Sequence, residues 1–543
     1  MDNIRLILII LLSFISLLLW EAWQRDYGPQ QAAPATATAP AAPAAPAIDP
    51  AAGKDLPQPT PPPAAPAAPS AVPAGQTISV DTDLFHAEIS TVGAVIRTLS
   101  LKHYPQSIDK GAPLFDLLAN DDTRLLVAQS GLKTDGEGPD HYAQYTVAAP
   151  RFELSADADT LPVEFTWRNA DGIEVVRRYV FKRGSYEITQ AFEIRNHSSA
   201  VWKAHPYDQL QKQQMKSSRS VTPTFTGVAL SSPDNKYEKF DFDDLAEEPI
   251  DRDVTGGWAA LVEHYFVAAL IPAADAPQHY YSTAIGENRY VLGYYGTEIA
   301  VPPGETRSLA SRLYAGPKLQ EVLPAVAPGL ELTVDYGSLW FIAKGLFWWL
   351  ERLHDFFGNW GVAIILLTVT VKLIFYPLSA AGYRSMAKMR KVQPRLMQLK
   401  ERFGSDRAAM NQAMMELYKT ERINPLGGCL PIVVQIPVFI ALYWVLLESV
   451  ELRQAPFWLW IRDLSIKDPY FVLPVLMTAS MWLQSKMNPP PLDPIQAKVM
   501  QIMPLAFGVF FAFFPAGLVL YWLVNNVLSI AQQWYVTKQS EAA

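Results

Sequence analysis

The run Val369-Thr370-Val371-Lys372-Leu373-Ile374-Phe375-Tyr376-Pro377 decides the fold, because it closes an apolar stretch, 361–378, that carries an amine inside it. A spanning helix uses roughly 17 to 25 mostly apolar residues, and this stretch is at the short end of that range. An ionisable side chain within a span is costly and by default faces water or a partner, which marks a functional site. A second reading is equally open: Lys372 lies near one end of the stretch, where its long stem can carry the ammonium to the headgroups. Thr368, four residues earlier, shares its helix face.

Four further apolar stretches follow, at 427–447, 470–486, 499–514 and 516–536, and together they predict a five-helix transmembrane bundle. Several are short, so a locally thinned bilayer is expected. Within them lie Gln435, Ser480, Gln484, Asn525 and Asn526, but no Asp or Glu that would neutralise Lys372. That argues for a hydrated cavity or a transient acidic visitor rather than a proton relay, which strings carboxylates or histidines together. Pro431, Pro437, Pro474 and Pro504 interrupt the stretches, and the backbone groups they free need protein or water.

Charge sets the orientation. The segment 379–426 carries Arg384, Lys388, Arg390, Lys391, Arg395, Lys400, Arg402, Arg407, Lys419 and Arg422 against four acidic residues, and the positive-inside rule puts it in the cytoplasm. Its pattern is a helical hairpin: Met386, Met389, Leu396, Leu399 and Phe403 repeat up to Gly404, and Met410, Met414, Leu417 and Tyr418 repeat after Ser405 and Asp406, either of which can cap the second helix. The methionines suit either an adaptable surface for apolar partners or the hairpin's own seam. The loop after 447 mixes Arg453, Arg462 and Lys467 with Glu448, Glu451, Asp463 and Asp468, which fits the outer side. Just before the first span, 338–355 reads as an amphipathic helix lying in the outer interface, with Lys344, Glu351 and Asp355 on one face.

Towards the N-terminus the character changes. Residues 77–330 alternate as β-strands, with Val163, Phe165 and Trp167 on one face and Tyr186, Ile188, Phe192 and Ile194 on another, and predict a large all-β antiparallel sandwich outside the membrane, with one buried and one solvated face per sheet. Its histidines lack metal-ligand spacing. Residues 26–76, rich in Ala and Pro, form a semi-rigid tether. Residues 1–25 read as an N-terminal transmembrane anchor, uncleaved because the apolar run exits into Trp20 and Trp23 rather than small residues. Six crossings then place both termini inside. The chain of 543 residues has a net charge of −8, which gives no footprint for nucleic acid, and its single cysteine, Cys429, excludes an intrachain disulfide.

The runs Asn424-Pro425-Leu426-Gly427-Gly428-Cys429, Gln435-Ile436-Pro437, Glu451-Leu452-Arg453-Gln454-Ala455-Pro456-Phe457 and Phe514-Pro515-Ala516-Gly517-Leu518-Val519-Leu520-Tyr521-Trp522 resemble the YidC-type membrane protein insertases in their Gram-negative form. The resemblance spans anchor, tether, supersandwich-like periplasmic domain and bundle, and is most specific in the bundle. It implies a membrane insertase and chaperone of the bacterial inner membrane, with a hydrophilic groove open to the cytoplasm and to lipid. Lys372 falls where the family carries its groove charge; Gram-negative members usually have arginine there, and lysine keeps the charge but not the bidentate fork. By the same resemblance Thr368, Gln435 and Trp522 line the groove, while Phe439, Met477 and Phe510 form an apolar slide for the substrate helix. Ordinary helix packing also accounts for those last three.

The resemblance further implies nascent membrane proteins as substrates, the lipid bilayer as medium, the Sec translocon as partner, and ribosome contact, although the tail after Val536 is short. No phosphate loop or catalytic constellation is present, so no cofactor and no enzymatic step are expected. Two rivals stand beside this reading: an ion-coupled secondary transporter built on Lys372, for which no paired-half repeat is found, and a membrane-tethered periplasmic carbohydrate-binding protein.

Overall fold

The computed structural model describes residues 75–121, 124–214, 224–286, 288–404, 406–421, 430–488 and 494–542. The expected anchor, and the tether up to residue 74, lie outside the described residues.

The β domain is built from two sheets, of eleven and nine strands. Alternation places its strands as expected where one face is solvated. In Thr160–Arg168, Val163, Phe165 and Trp167 are buried, and in Glu187–Asn196 the buried set is Ile188, Gln190, Phe192, Ile194 and Asn196. Two features depart from the expectation. The strands Thr77–Asp81 and Arg151–Glu153 pair in parallel, so the sandwich is not wholly antiparallel. Trp258–Val262 and Phe266–Ile271 are buried along their whole length, and Leu125–Lys133 over all but its last residue, because both faces are covered. Leu125 and Val127, for example, join Val95 in a second small cluster, while Leu126 and Ala128 enter the main core.

The C-terminal half is helical: α1 (Trp340–Phe357), α2 (Trp360–Ile374), α3 (Tyr376–Phe403), α4 (Arg407–Thr420), α5 (Leu430–Glu448), α6 (Val472–Met487), α7 (Pro494–Phe511) and α8 (Ala516–Ala542). The stretch 361–378, read as one straight span, is instead broken at Phe375, with a bend of 67° between α2 and α3. Pro377 explains the break: it lacks the N–H that would bond the Leu373 carbonyl, and its ring clashes with that group. Pro437 and Pro504 lie inside α5 and α7, whereas Pro474 sits in the first turn of α6, where it interrupts nothing. Among the described residues no single helix is long and apolar enough to cross a membrane; the bent pair α2–α3 passes that test together, and shorter apolar helices run over Val433–Glu448 and Ala497–Phe511.

α3 ends at Gly404, and the Asp406 carboxylate caps α4 by accepting from the N–H groups of Ala408 and Ala409 at 3.1 and 3.0 Å. The two helices pack through Val392 and Leu396 against Met389, Met414, Leu417 and Tyr418. Met397 and Met415 remain exposed. In α1, Ala343, Phe347 and Leu350 form the buried stripe, and Trp340, Phe341, Trp348 and Phe356 are exposed on the other side.

The β domain is held to the far end of α5. The Lys318 ammonium, 1% exposed, pairs with the Glu448 carboxylate, 3% exposed, at 3.2 Å and donates to the Thr333 carbonyl at 3.1 Å. His264 meets the Leu447 carbonyl at 2.9 Å, while Arg453 and Gln454 both donate to the Pro105 carbonyl, at 2.7 and 2.8 Å. The Arg453 guanidinium also lies over the rings of Phe115 and Phe266.

Breaking one side of a buried ion pair strands the other charge, which costs about 3–5 kcal/mol, whereas replacing both with apolar groups is often neutral. Lys318→Met and Glu448→Gln are therefore each expected to lower the thermal midpoint of the purified protein well below that of the double variant Lys318→Met/Glu448→Leu. Equal destabilisation in all three would show that the pair is not the junction's constraint.

The same junction holds two groups that titrate in opposite senses. Burial lifts the Glu451 carboxyl from 4.5 to about 7, so the folded state binds the extra proton and this group loses stability as pH rises from 4.5 to 7. Burial lowers His264 from 6.5 to about 4, so the unfolded state binds the extra proton and stability is lost as pH falls through that window. The two slopes oppose each other in the wild type. Glu451→Gln is expected to expose a midpoint that rises from pH 4.5 to 6.5, and His264→Asn one that falls over the same range; parallel profiles for both variants would contradict the assignment.

Candidate functional site

α8 carries a polar stripe, Trp522, Asn525, Asn526, Ser529 and Gln533, at the spacing that keeps residues on one side of a helix. All of that stripe but Gln533 faces a cavity of about 370 Å³ whose other walls come from α2, α3, α5, α6 and α7. Lys372 enters it from the end of α2, and its ammonium donates to the Ser529 hydroxyl at 2.7 Å; Ser529 in turn donates to the Asn525 carbonyl at 2.7 Å. From α5, the Gln435 amide donates to the Asn525 side-chain oxygen at 2.7 Å. Asn526 reaches the Ser480 hydroxyl on α6 at 3.3 Å, and Gln533 donates to the Asn488 side-chain oxygen at 3.0 Å. The indole N–H of Trp522 is buried and bonds no acceptor among the described residues.

The remaining wall is soft and apolar. Met386, Met481, Met500 and Met503 line it, and Phe439 stacks on Tyr521 and meets Trp522 edge-on, with ring centroids 6.1 and 4.7 Å apart. Among the described residues no carboxylate lines the cavity. A site of this make-up offers hydrogen-bonding side chains and one cation beside adaptable apolar surface, which suits a segment that is partly polar and partly apolar.

Of the residues singled out from sequence, Lys372, Gln435, Trp522 and Phe439 come together here. Thr368 does not line the cavity: it is buried, and its hydroxyl is used by the Ile364 carbonyl at 2.7 Å, one turn back on its own helix. Met477 is fully buried in the core and Phe510 is half exposed beside Phe511 and Phe514; neither lines the cavity. Ser529, Tyr383, Asn488 and the four methionines were not singled out for this site. The period of the α8 stripe pointed to Ser529, since Asn525 and Asn526 were already read as polar groups in a span. The methionines carried no such signal, because nothing in an isolated helix says which neighbour its apolar face meets.

A large β domain fixed to apolar helices that enclose a cationic, hydrogen-bonding cleft defines the class: a β-rich domain joined to an apolar helical domain. Residues 77–349 match the family described as the YidC periplasmic domain, and residues 352–543 match the 60Kd inner membrane protein family. Membrane protein insertases named YidC from Methylobacillus flagellatus and Methylococcus capsulatus are each 48% identical over the whole of this chain and 98% and 99% of their own. The one from Nitrosococcus oceani is 47% identical over 99% of its length. A crystal structure of an active YidC insertase with its first transmembrane domain resolved overlaps 86% of this chain and 93% of its own at 17% identity, with a TM-score of 0.39. A galactose mutarotase related enzyme from Lactobacillus acidophilus overlaps 44% of this chain and 97% of its own at 11% identity, with a TM-score of 0.30. Neither score carries an argument about fold.

The chain belongs to the YidC family of membrane protein insertases. It is an inner-membrane protein with a β-rich periplasmic domain followed by helices, and it acts on membrane proteins in the lipid bilayer, a role that is not enzymatic.

The cavity's walls differ in access, and this can be read by thiol labelling. With Cys429 replaced by Ser, a cysteine placed at Gln484 or Asn525 is expected to react with a water-soluble maleimide at least about tenfold faster than one at Met477, since burial denies access and raises the thiol pKa. Similar rates at all three positions would contradict a hydrated cleft.

Proposed function

We propose that this insertase works through the cleft around Lys372, as a groove that replaces water around a short polar segment while the attached apolar helix leaves into lipid. The observation that carries this reading is a lysine ammonium within an apolar bundle, held by one serine hydroxyl in a cavity that no carboxylate lines among the described residues. An ammonium has three donors, so this one retains capacity for an acidic or carbonyl-rich visitor. Gln435 and Trp522 supply the groove's neutral polar contacts. Phe439, Met477 and Phe510 form the slide, a role that the exposure of Phe510 and the aromatic contacts of Phe439 support better than the burial of Met477 does. Thr368 acts on the groove only by fixing α2, since its hydroxyl is bonded to its own helix.

In this reading the anchor 1–25 and the five spans give six crossings, with the α3–α4 hairpin and the C-terminus in the cytoplasm, as the excess of Lys and Arg in 379–426 supports. The exposed Trp and Phe residues of α1 rest in the outer interface. The hairpin's exposed Met397 and Met415 offer apolar contacts to substrates and to the ribosome, and the Sec translocon receives substrates in common with this protein.

The test is insertion of a single-span substrate with an acidic N-terminal tail into liposomes containing the purified protein. Lys372→Ala is expected to reduce insertion about tenfold, the worth of one charge contact of roughly 1.4 kcal/mol, and Lys372→Arg to restore it. Wild-type levels with Lys372→Ala would remove the charge from the mechanism, and no insertion by the wild type beside a working control insertase would sink the autonomous groove.

A further inference from the structure

The β domain holds a second cavity, of about 320 Å³, between its two sheets. Three adjacent strands of the larger sheet, Pro277–Ile285, Arg289–Gly296 and Trp202–Gln213, form one wall, and Phe192 with Leu309 and Ser311 of the smaller sheet form the other. Asp208 pairs across the ladder with Tyr294, and Gln278 with Gly296, two positions along the same strand, so both side chains stand on the same face. Gly296 keeps the floor open: a Cβ there would sit 3.2 Å from the Gln278 side-chain oxygen.

Two acceptors in this cavity are unusual. Asp208 and Gln278 are 5% and 9% exposed, and Asp208 Oδ1 and Gln278 Oε1 bond no donor among the described residues. The other carboxylate oxygen of Asp208 is committed to the Tyr294 hydroxyl. Burial, and then the Asp208 charge, hold that phenol well above its ordinary pKa, so it stays a donor. Buried acceptors without donors are costly, and in native proteins most are satisfied. Whatever enters must therefore bring donors, at least two, on one compact body.

We infer that this inter-sheet cavity binds a pyranose-sized polyhydroxylated molecule, whose hydroxyls donate to Asp208 Oδ1 and Gln278 Oε1 while its apolar face lies against Phe192 and Tyr294. Its volume falls at the lower end of small-molecule sites, enough for one ring and too little for an extended peptide. An ammonium ligand fits less well, because Asp208 is the only carboxylate in the lining among the described residues and Arg307, exposed at the rim, opposes a cation. This site is separate from the cleft at Lys372 and does not depend on the groove reading.

The experiment is calorimetric titration of the full-length purified protein with methyl α-glucopyranoside, N-acetylglucosamine and myo-inositol, beside an uncharged heptapeptide of Ser, Ala and Gly. At least one of the three polyols is expected to bind saturably with a millimolar or tighter Kd. Asp208→Asn and Gln278→Leu, with unaltered melting transitions, are each expected to weaken it about tenfold, the loss of one hydrogen bond to a buried acceptor. If one variant fails to fold, the other still decides. Absence of saturation at tens of millimolar with all three polyols would overturn the site, as would binding that a folded variant leaves unchanged. Binding of the heptapeptide alone, lost in the same variants, would replace the polyol with a peptide ligand.

Discussion

An amine placed in an apolar helix has to find oxygen or water, and the bundle is arranged around that constraint. Lys372 lies three residues before the break at Phe375, so α3 departs at an angle instead of continuing along the same line. Ser379, Gly382, Tyr383 and Met386 of α3 then line the same cavity as the ammonium. On the opposite side, Ser529 can accept from Lys372 because its own proton is taken by the Asn525 carbonyl one turn back, which fixes the hydroxyl's orientation. The pairs Gln435–Asn525 and Asn526–Ser480 obey the same requirement between α8 and its neighbours α5 and α6. Polar residues that would be liabilities one by one become the interhelical contacts that shape the cleft.

α5 connects that cleft to the β domain. Gln435 and Phe439 lie on the helix that ends at Glu448, about 20 Å from Gln435 at the helical rise. Glu448 is fixed by Lys318, and the neighbouring Leu447 carbonyl by His264, so the outer end of the helix is tied to a two-sheet body. A buried ion pair contributes little net stability, but it tolerates few alternative geometries, since any shift leaves two charges desolvated and unpaired. These contacts tie the end of one cleft-wall helix to the β domain.

Much of this was legible in the sequence where the signal is local. Val163, Phe165 and Trp167 gave their strand by alternation, and Gly404 with Asp406 gave the hairpin turn by capping chemistry. Alternation is silent for Trp258–Val262 and Phe266–Ile271, because a strand covered on both faces has no solvated side to reveal its period. The parallel pairing of Arg151–Glu153 rests on three residues and a distant partner, and nothing local announces it. The break at Phe375 was within reach: Pro377 stands in the very run that was read as one span, and its effect on the preceding turn is general. Within the site, Lys372 and Gln435 were found because polar groups in apolar helices are conspicuous, whereas Trp522 and Phe439 came from the family resemblance alone. The methionine wall was hidden, because Met481, Met500 and Met503 are ordinary residues until two helices turn them towards one space.

The cations Arg177 and Lys372 are satisfied to different degrees, and the difference bears on function. In the β domain the fully buried guanidinium of Arg177 donates to the carbonyls of Gly93 and Ser130, the Ser130 hydroxyl and the Gln190 amide oxygen, all supplied by the surrounding strands and turns. Such a centre makes four bonds, with only Nε lacking an acceptor among the described residues, and serves to lock two sheets together. The cleft around Lys372 is satisfied only in part: the ammonium uses one serine, and the Trp522 N–H bonds nothing described. A groove can lower the barrier for a polar segment only to the extent that its groups strengthen their interactions when the segment arrives, so one as heavily bonded as the Arg177 centre would have little to offer. Incomplete satisfaction, which would be a defect in a core, is what a site that substitutes for water has to retain.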